Sequence, residues 1–300
     1  THKMKRLLVF LLALGLSAIA WAAQPLLSPT ELQPLLANKN VRVVDIRAGD
    51  VYAKDHIPGS LSAPYATWRG PATNPGQLPS VEDLTKRVQS LGLTPELHIV
   101  VTSSGVDTTD FGAAARVYWT LKYLGFKELS VLNGGIEAWA AAKLPQDQAV
   151  PAIVASAYVP KIDASIRATR DEVASVIGTD KASLVDARPP AQFEGKAKAD
   201  AAKSAGTIKG AINVPNTVWF AEGSKTLYSQ DQAKKVAAAA WLDPNRETVV
   251  FCNTGHWGAT DWFALSEVAG VKGVKLYAES MVDWTQAPQP LPMDNAPAAK

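Results

Sequence analysis

The chain of 300 residues has a single cysteine, Cys252, and four histidines, His2, His56, His98 and His256. A lone cysteine forms no disulfide within the chain and no CxxC zinc or redox pair. None of the histidines stands at HExxH spacing, so neither a metal site nor a cofactor is expected. Long runs of like charge are also missing. Lys and Arg number 30 against 28 Asp and Glu, a net charge of +2. Nothing in that balance calls for nucleic acid or an anionic surface as partner. With 47% apolar and 19% charged residues, and 20 Gly and 20 Pro, the composition argues against disorder, collagen and coiled coil.

The amino terminus reads as a targeting segment. Met4, Lys5 and Arg6 form a basic start, residues 7–20 form an apolar run, and Ala20-Trp21-Ala22 supplies an A-x-A site. The run is too short for a comfortable membrane span. The pattern predicts a signal peptide over 1–22, export to a bacterial periplasm, and no stable membrane insertion after cleavage. An uncleaved anchor is the alternative. Cleavage after Ala22 removes Lys3, Lys5 and Arg6 and no acid, which turns the net charge of +2 into −1. Cys252 would then be a free thiol in an oxidising space, a hazard unless the thiol has a task.

The remainder repeats once, at a spacing of about 140 residues. VRVVDIR (41–47), HIPGSLSAP (56–64), HIVVTSSG (98–105) and LSVLNGGIEAW (129–139) are followed in the same order by ASLVDARP (182–189), TIKGAINVP (207–215), TVVFCNTGHWG (248–258) and VKLYAESMVDW (274–284). Apolar runs at 41–45, 99–101, 129–132, 184–186, 248–251 and 274–277 do not alternate, as in strands buried on both faces. Helical spacing separates them. Ala114, Val117, Tyr118 and Leu121 stop at Gly125, and Ala259, Trp262, Phe263 and Ser266 stop at Gly270. The prediction is α/β: two domains, 23–150 and 151–300, each a mainly parallel sheet flanked by helices. Residues 144–162, with three prolines, read as the connection.

Cys252 falls at the carboxyl end of the run 248–251. Asn253, Thr254, Gly255, His256 and Trp257 form a short turn, and a helix begins near Gly258. Ligands of open parallel sheets bind beyond the carboxyl ends of the strands. A compact turn entering a helix directs backbone N–H groups inward and favours negative charge. That combination suits a sulfur nucleophile needing no neighbouring base. The alternative is a buried, inert cysteine ending a core strand.

The chain resembles the tandem rhodanese-type sulfurtransferases over nearly all of residues 28–290. The resemblance rests on LVDARPPAQF (184–193) with KGAINVP (209–215), on VVFCNTGHWGA (249–259), and on VLNGGIEAW (131–139) echoed by LYAESMVDW (276–284). It implies that the carboxyl-terminal copy is catalytic and the first copy inactive. Aligning the strand ends places Thr102 opposite Cys252, and a threonine cannot carry a persulfide. The resemblance further implies that Cys252 takes the sulfane sulfur of a donor such as thiosulfate and hands it to a thiophilic acceptor. Small sulfur-containing anions are the implied ligands, and a thiol or a sulfur-carrier protein the implied acceptor. The N–H groups from Asn253 through Thr254, Gly255, His256 and Trp257 to Gly258 would hold the terminal sulfur. Asp186 and Arg188 would pair, as scaffold or at the rim of the site. A carrier that binds persulfide without turnover is the alternative function.

The loop departs from the family pattern. Thiosulfate-preferring members place basic residues after the cysteine, whereas Asn253 and Thr254 are neutral. They are not the small residues of mercaptopyruvate-preferring members either. Gln192 stands where an Arg is usual. His256 is the one potential cation of the loop, with an ordinary pKa near ~6.5, and two readings stand: anion attraction that grows toward pH 6, or a solvated loop residue. Trp257 and Trp262 either wall the site or pack in the core. The seventh residue from Cys252 is Gly258, so the arginine of a C-x5-R phosphatase loop is missing. The Pro/Gly-rich stretch 68–79, with Trp68 and Arg69 expected to be exposed, either covers the cysteine or is a surface connection. Residues 194–205 read as a solvated loop or short helix.

Overall fold

The computed structural model describes residues 22–298. The basic start and apolar run of the leader lie outside the described residues. Among the described residues no helix is long and apolar enough to cross a membrane.

The apolar runs become parallel strands. In the first half β1 (Leu26–Leu27), β2 (Val41–Asp45), β3 (Leu61–Ser62), β4 (His98–Thr102) and β5 (Leu129–Leu132) assemble in the order β1-β5-β4-β2-β3. In the second half β6 (Ala182–Asp186), β8 (Ile212–Asn213), β9 (Glu247–Phe251) and β10 (Val274–Leu276) assemble as β10-β9-β6-β8, while β7 (Thr207–Ile208) pairs antiparallel with β11 (Met293–Asp294). The second sheet repeats the first without its outer strand, whose place is taken by a single parallel bridge between Arg167 and Leu276. The expected α/β class with two mainly parallel sheets is what forms. Residues 148–163 carry neither helix nor strand and join the halves.

Ladder register corrects the alignment of the copies. Asp45 pairs with Thr102 as Asp186 pairs with Phe251. One residue further on, Ile136 donates its N–H to Ser103 O as Met281 does to Cys252 O. Ser103, not Thr102, therefore occupies the place of Cys252. The error arose because VVTSSG and VVFCNTG differ by one residue where apolar character ends. A serine hydroxyl is equally unable to carry a persulfide.

The two halves share one core. The helix Thr108–Tyr123, capped by Asp107 through the N–H of Asp110 at 2.8 Å, packs on Trp257–Trp262, its counterpart in the second half. That second helix continues as a π-helical stretch, Phe263–Val268. Phe263 lies edge-on between Phe111 (centroids 5.6 Å apart) and Tyr118 (4.9 Å), an arrangement favoured by the ring quadrupole. Trp262 is wholly buried and donates to Val274 O, so it belongs to the core. Residues 194–205 form an irregular loop in which Ala202 is buried.

Candidate active site

Strand β9 delivers Cys252 to the end of the sheet, where it is 1% exposed. The loop turns at Gly255, whose φ of +70° no L side chain adopts cheaply. Behind the cysteine stands Ser280, also left-handed at φ +59° and wholly buried. Its Oγ accepts the N–H of Cys252 at 3.0 Å and donates to Tyr277 O at 2.8 Å. The same position in the first copy is Gly135, with the same φ of +59°. A non-glycine residue here costs about 1–2 kcal/mol of backbone strain, which marks Ser280 as a constrained part of the site.

The two loops differ in what fills them. In the first copy the carboxylate of Asp110 takes the N–H of Gly105 at 2.6 Å and the hydroxyl of Ser104 at 2.9 Å. In the second copy Ala259 replaces that aspartate, and among the described residues no protein acceptor takes the N–H of Asn253, Thr254, Gly255 or His256. Buried backbone donors are nearly always paired. The second loop is thus an amide cradle without an internal anion, beside a sulfur.

The first copy closes over this loop. Residues 68–79 do cover it, and Trp68, expected to be exposed, is wholly buried and donates to Ala63 O. Its burial leaves Arg69 to reach across and donate to Thr254 O at 2.9 Å. Gly76 sits so close that a Cβ there would lie 2.7 Å from Ala278 O and 2.8 Å from Thr254 O. Arg116, wholly buried on the helix Thr108–Tyr123, donates to Thr254 O and Ala278 O, both at 3.2 Å, and to Gly76 O at 2.9 Å. Burial pushes its guanidinium down to about 9, which leaves it charged at pH 7. Arg116 was missed in the sequence; the available signal was one charge inside the apolar stretch AAARVYW.

His256 is not a solvated loop residue. Its Nε2 meets Thr109 O, and its Nδ1 lies 2.9 Å from Tyr65 Oη. A carbonyl only accepts, so Nε2 carries the proton and Nδ1 accepts from the tyrosine, whose pKa burial raises. Burial also pushes the imidazole down to about 4. The ring is neutral at pH 6, which removes the cation that the sequence suggested. Gly112 permits the approach: a Cβ there would be 2.6 Å from His256 Cδ2. Trp257, half-buried, donates to Thr109 Oγ1 at 3.3 Å and joins this interface.

Asp186 and Arg188 form a buried bidentate pair at 2.8–3.0 Å, a geometry in which guanidinium and carboxylate match. Arg188 also donates to Gly206 O at 2.7 Å and reaches Asn253 Oδ1 at 3.3 Å. The Asn253 amide donates in turn to Gln192 Oε1 at 2.6 Å. The pair thereby braces the start of the loop. Gly258, in the first turn of the helix, packs on Phe251, where a Cβ would meet the strand backbone at 3.2 Å. On the far side, Trp219 donates to Asp261 Oδ1 at 2.8 Å, and burial holds the Asp261 carboxyl well above the usual carboxylate range.

Two halves built on mainly parallel sheets, with one cysteine among unpaired amides at a strand end, define an α/β protein with a candidate sulfur nucleophile. Comparison with known proteins specifies the family. A model described as "Rhodanese-like domain" matches residues 28–142 and again 169–287. A thiosulfate sulfurtransferase of Pseudomonas aeruginosa is 31% identical over 263 residues, covering 87% of this chain and 94% of that protein. Among solved structures, the 3-mercaptopyruvate sulfotransferase SseA from Escherichia coli superposes with a TM-score of 0.74 at 22% identity, covering 86% of this chain and 99% of that one. The anaerobic ergothioneine biosynthesis enzyme from Chlorobium limicola gives 0.78 at 20% identity, over 90% and 70%. The chain belongs to the rhodanese-like family and is a sulfurtransferase.

Proposed function

We propose that Cys252 carries a sulfane sulfur from a small anionic donor such as thiosulfate to a thiophilic acceptor. One observation supports this above the others: the Asp110 carboxylate takes the N–H of Gly105 in the first copy, whereas in the second Ala259 stands in its place and, among the described residues, the N–H of Thr254 joins those of Asn253, Gly255 and His256 in having no protein acceptor. An anion on the sulfur would satisfy them. The thiolate attacks the outer sulfur of thiosulfate, the S–S bond of the donor breaks, and sulfite leaves with the electron pair. Cys252 then bears a persulfide anion. Cyanide or a thiolate attacks its terminal sulfur and departs as thiocyanate or as a new persulfide, returning the thiolate. Charge balances in both steps, and no external redox partner is consumed. The first copy, with Ser103 in place of the cysteine, has no such role. The leader supports export to the periplasm, which cell fractionation tests.

Intact mass after thiosulfate, with a parallel thiosulfate–cyanide assay, tests the reading. A gain of one sulfur and turnover, both lost in Cys252→Ser, are expected. Mass gain without turnover would assign the protein as a carrier. No mass gain with any sulfane donor would overturn the persulfide reading.

A further inference from the structure

Two arginines from the first copy end at the catalytic loop, and among the described residues neither meets an acid. Arg116 gives Nη1 to the carbonyls of Thr254, Gly255 (3.4 Å) and Ala278 and Nη2 to Gly76, while its buried Nε has no hydrogen-bond partner among the described residues. Arg69 gives Nη2 to Thr254 O, and its buried Nη1 has no hydrogen-bond partner among the described residues. Among the described residues, no carboxylate lies within ion-pair distance of either guanidinium. A buried cation without a counter-ion is costly, so its retention calls for a role.

The geometry supplies one. In a trans peptide plane the C=O and the following N–H point in opposite directions. Guanidinium groups that hold the carbonyls of Thr254 and Gly255 therefore aim the N–H groups of Gly255 and His256 away from themselves. Those are two of the donors without a protein acceptor. The loop itself offers no charge: Asn253 and Thr254 are neutral, and the half-buried His256 ring is a partner of Tyr65 and Thr109.

We propose that Arg116 and Arg69 of the first copy are positioning residues for Cys252, holding the loop carbonyls on one side and supplying the positive charge that the loop lacks. Their counter-ion is the negative charge that forms at the sulfur as thiolate, persulfide or departing sulfite. The proposal rests on the persulfide reading, and it gives the copy without a nucleophile a part in the chemistry.

The single cysteine makes the test clean, because alkylation of a thiol reports on Cys252 alone. Rates are measured with anionic iodoacetate and neutral iodoacetamide, and their ratio reads the local potential at the sulfur. A structural defect changes both rates alike. In Arg116→Gln and in Arg69→Gln the ratio should fall by about five- to tenfold. In Arg116→Lys the charge remains and the ratio should stay within about twofold. Loading from thiosulfate should still slow by at least about tenfold, because one ammonium cannot replace the fork that spans several carbonyls. An unchanged ratio in the folded glutamine variants overturns the proposal, as does wild-type loading in Arg116→Lys. Should Arg116→Gln not fold, the half-buried Arg69 decides through its own variant. A native chain that never gains a sulfur defeats the persulfide reading, whereas a shifted ratio in the same chain still places the arginines at the thiol.

Discussion

Replacing Ser280 by alanine and, separately, by glycine divides one residue's contribution into two measurable parts. The alanine variant keeps the left-handed backbone at φ +59° but removes the acceptor of the Cys252 N–H and the donor to Tyr277 O. Both groups are buried, and leaving a buried donor unpaired costs about 1–3 kcal/mol. Alanine also keeps the strain of about 1–2 kcal/mol, since its Cβ meets the same clash. Glycine loses the hydrogen bonds but sheds that strain, as Gly135 does in the first copy. Ser280→Ala should therefore lower stability by about 2 kcal/mol, a urea midpoint shift of roughly 1 M, and Ser280→Gly by about 1 kcal/mol less. Loading of Cys252 with thiosulfate, followed by intact mass, should slow in both, because both free the backbone of the nucleophile. Equal stability of the two variants would refute the claim of backbone strain. Undiminished loading in both would refute the claim that Ser280 fixes the cysteine.

Three further outcomes follow from the site. Ala259→Asp should place a carboxylate in the second cradle, as Asp110 does in the first, and reduce thiosulfate loading by more than about tenfold; loading at the native rate would show that the cradle is not where the anion sits. Asp261 has a folded pKa raised by burial, so the stability it allows is complete below about 3.9 and lost as pH rises through the folded value. Asp261→Asn should accordingly be more stable than the native chain at pH 8, by a margin that shrinks toward pH 4, and a margin independent of pH in urea titrations would contradict this. His256 has its pKa lowered to about 4, so its contribution is present above about 6.5 and lost as pH falls toward 4, by at most about 3 kcal/mol. The acid limb of stability should flatten in His256→Gln; an unchanged limb would mean that the ring is not the neutral, hydrogen-bonded group described.

Much of the fold was legible because strands buried on both faces leave continuous apolar runs, and because the runs recur in one order. The cysteine loop was legible from its place at a strand end. What stayed hidden depends on contacts between distant segments. Burial holds His256 neutral, and the partners of its two nitrogens, Tyr65 and Thr109, lie 191 and 147 residues away. Trp68 sits in a Pro/Gly-rich stretch that looks like surface, yet it is wholly buried and donates to Ala63 O. Arg116 looks like one charge in an apolar helix, and only the fold brings it the carbonyls of Gly76, Thr254, Gly255 and Ala278. The place of Ser103 needed the ladder register, since the pattern of apolar residues blurs by one position where a strand ends. Ser280 did carry a trace, as LYAESMVDW set beside VLNGGIEAW puts it opposite a glycine.

The helix seam between the halves has a consequence for how such a molecule can change over generations. Phe111, Tyr118, Trp262 and Phe263 bury one another, so neither half keeps its interior dry when cut away from its twin. A duplicated unit bound in this way cannot be discarded once its own reactive group is gone. It is free to drift wherever it faces water, and is held fast along the buttress it gives its neighbour.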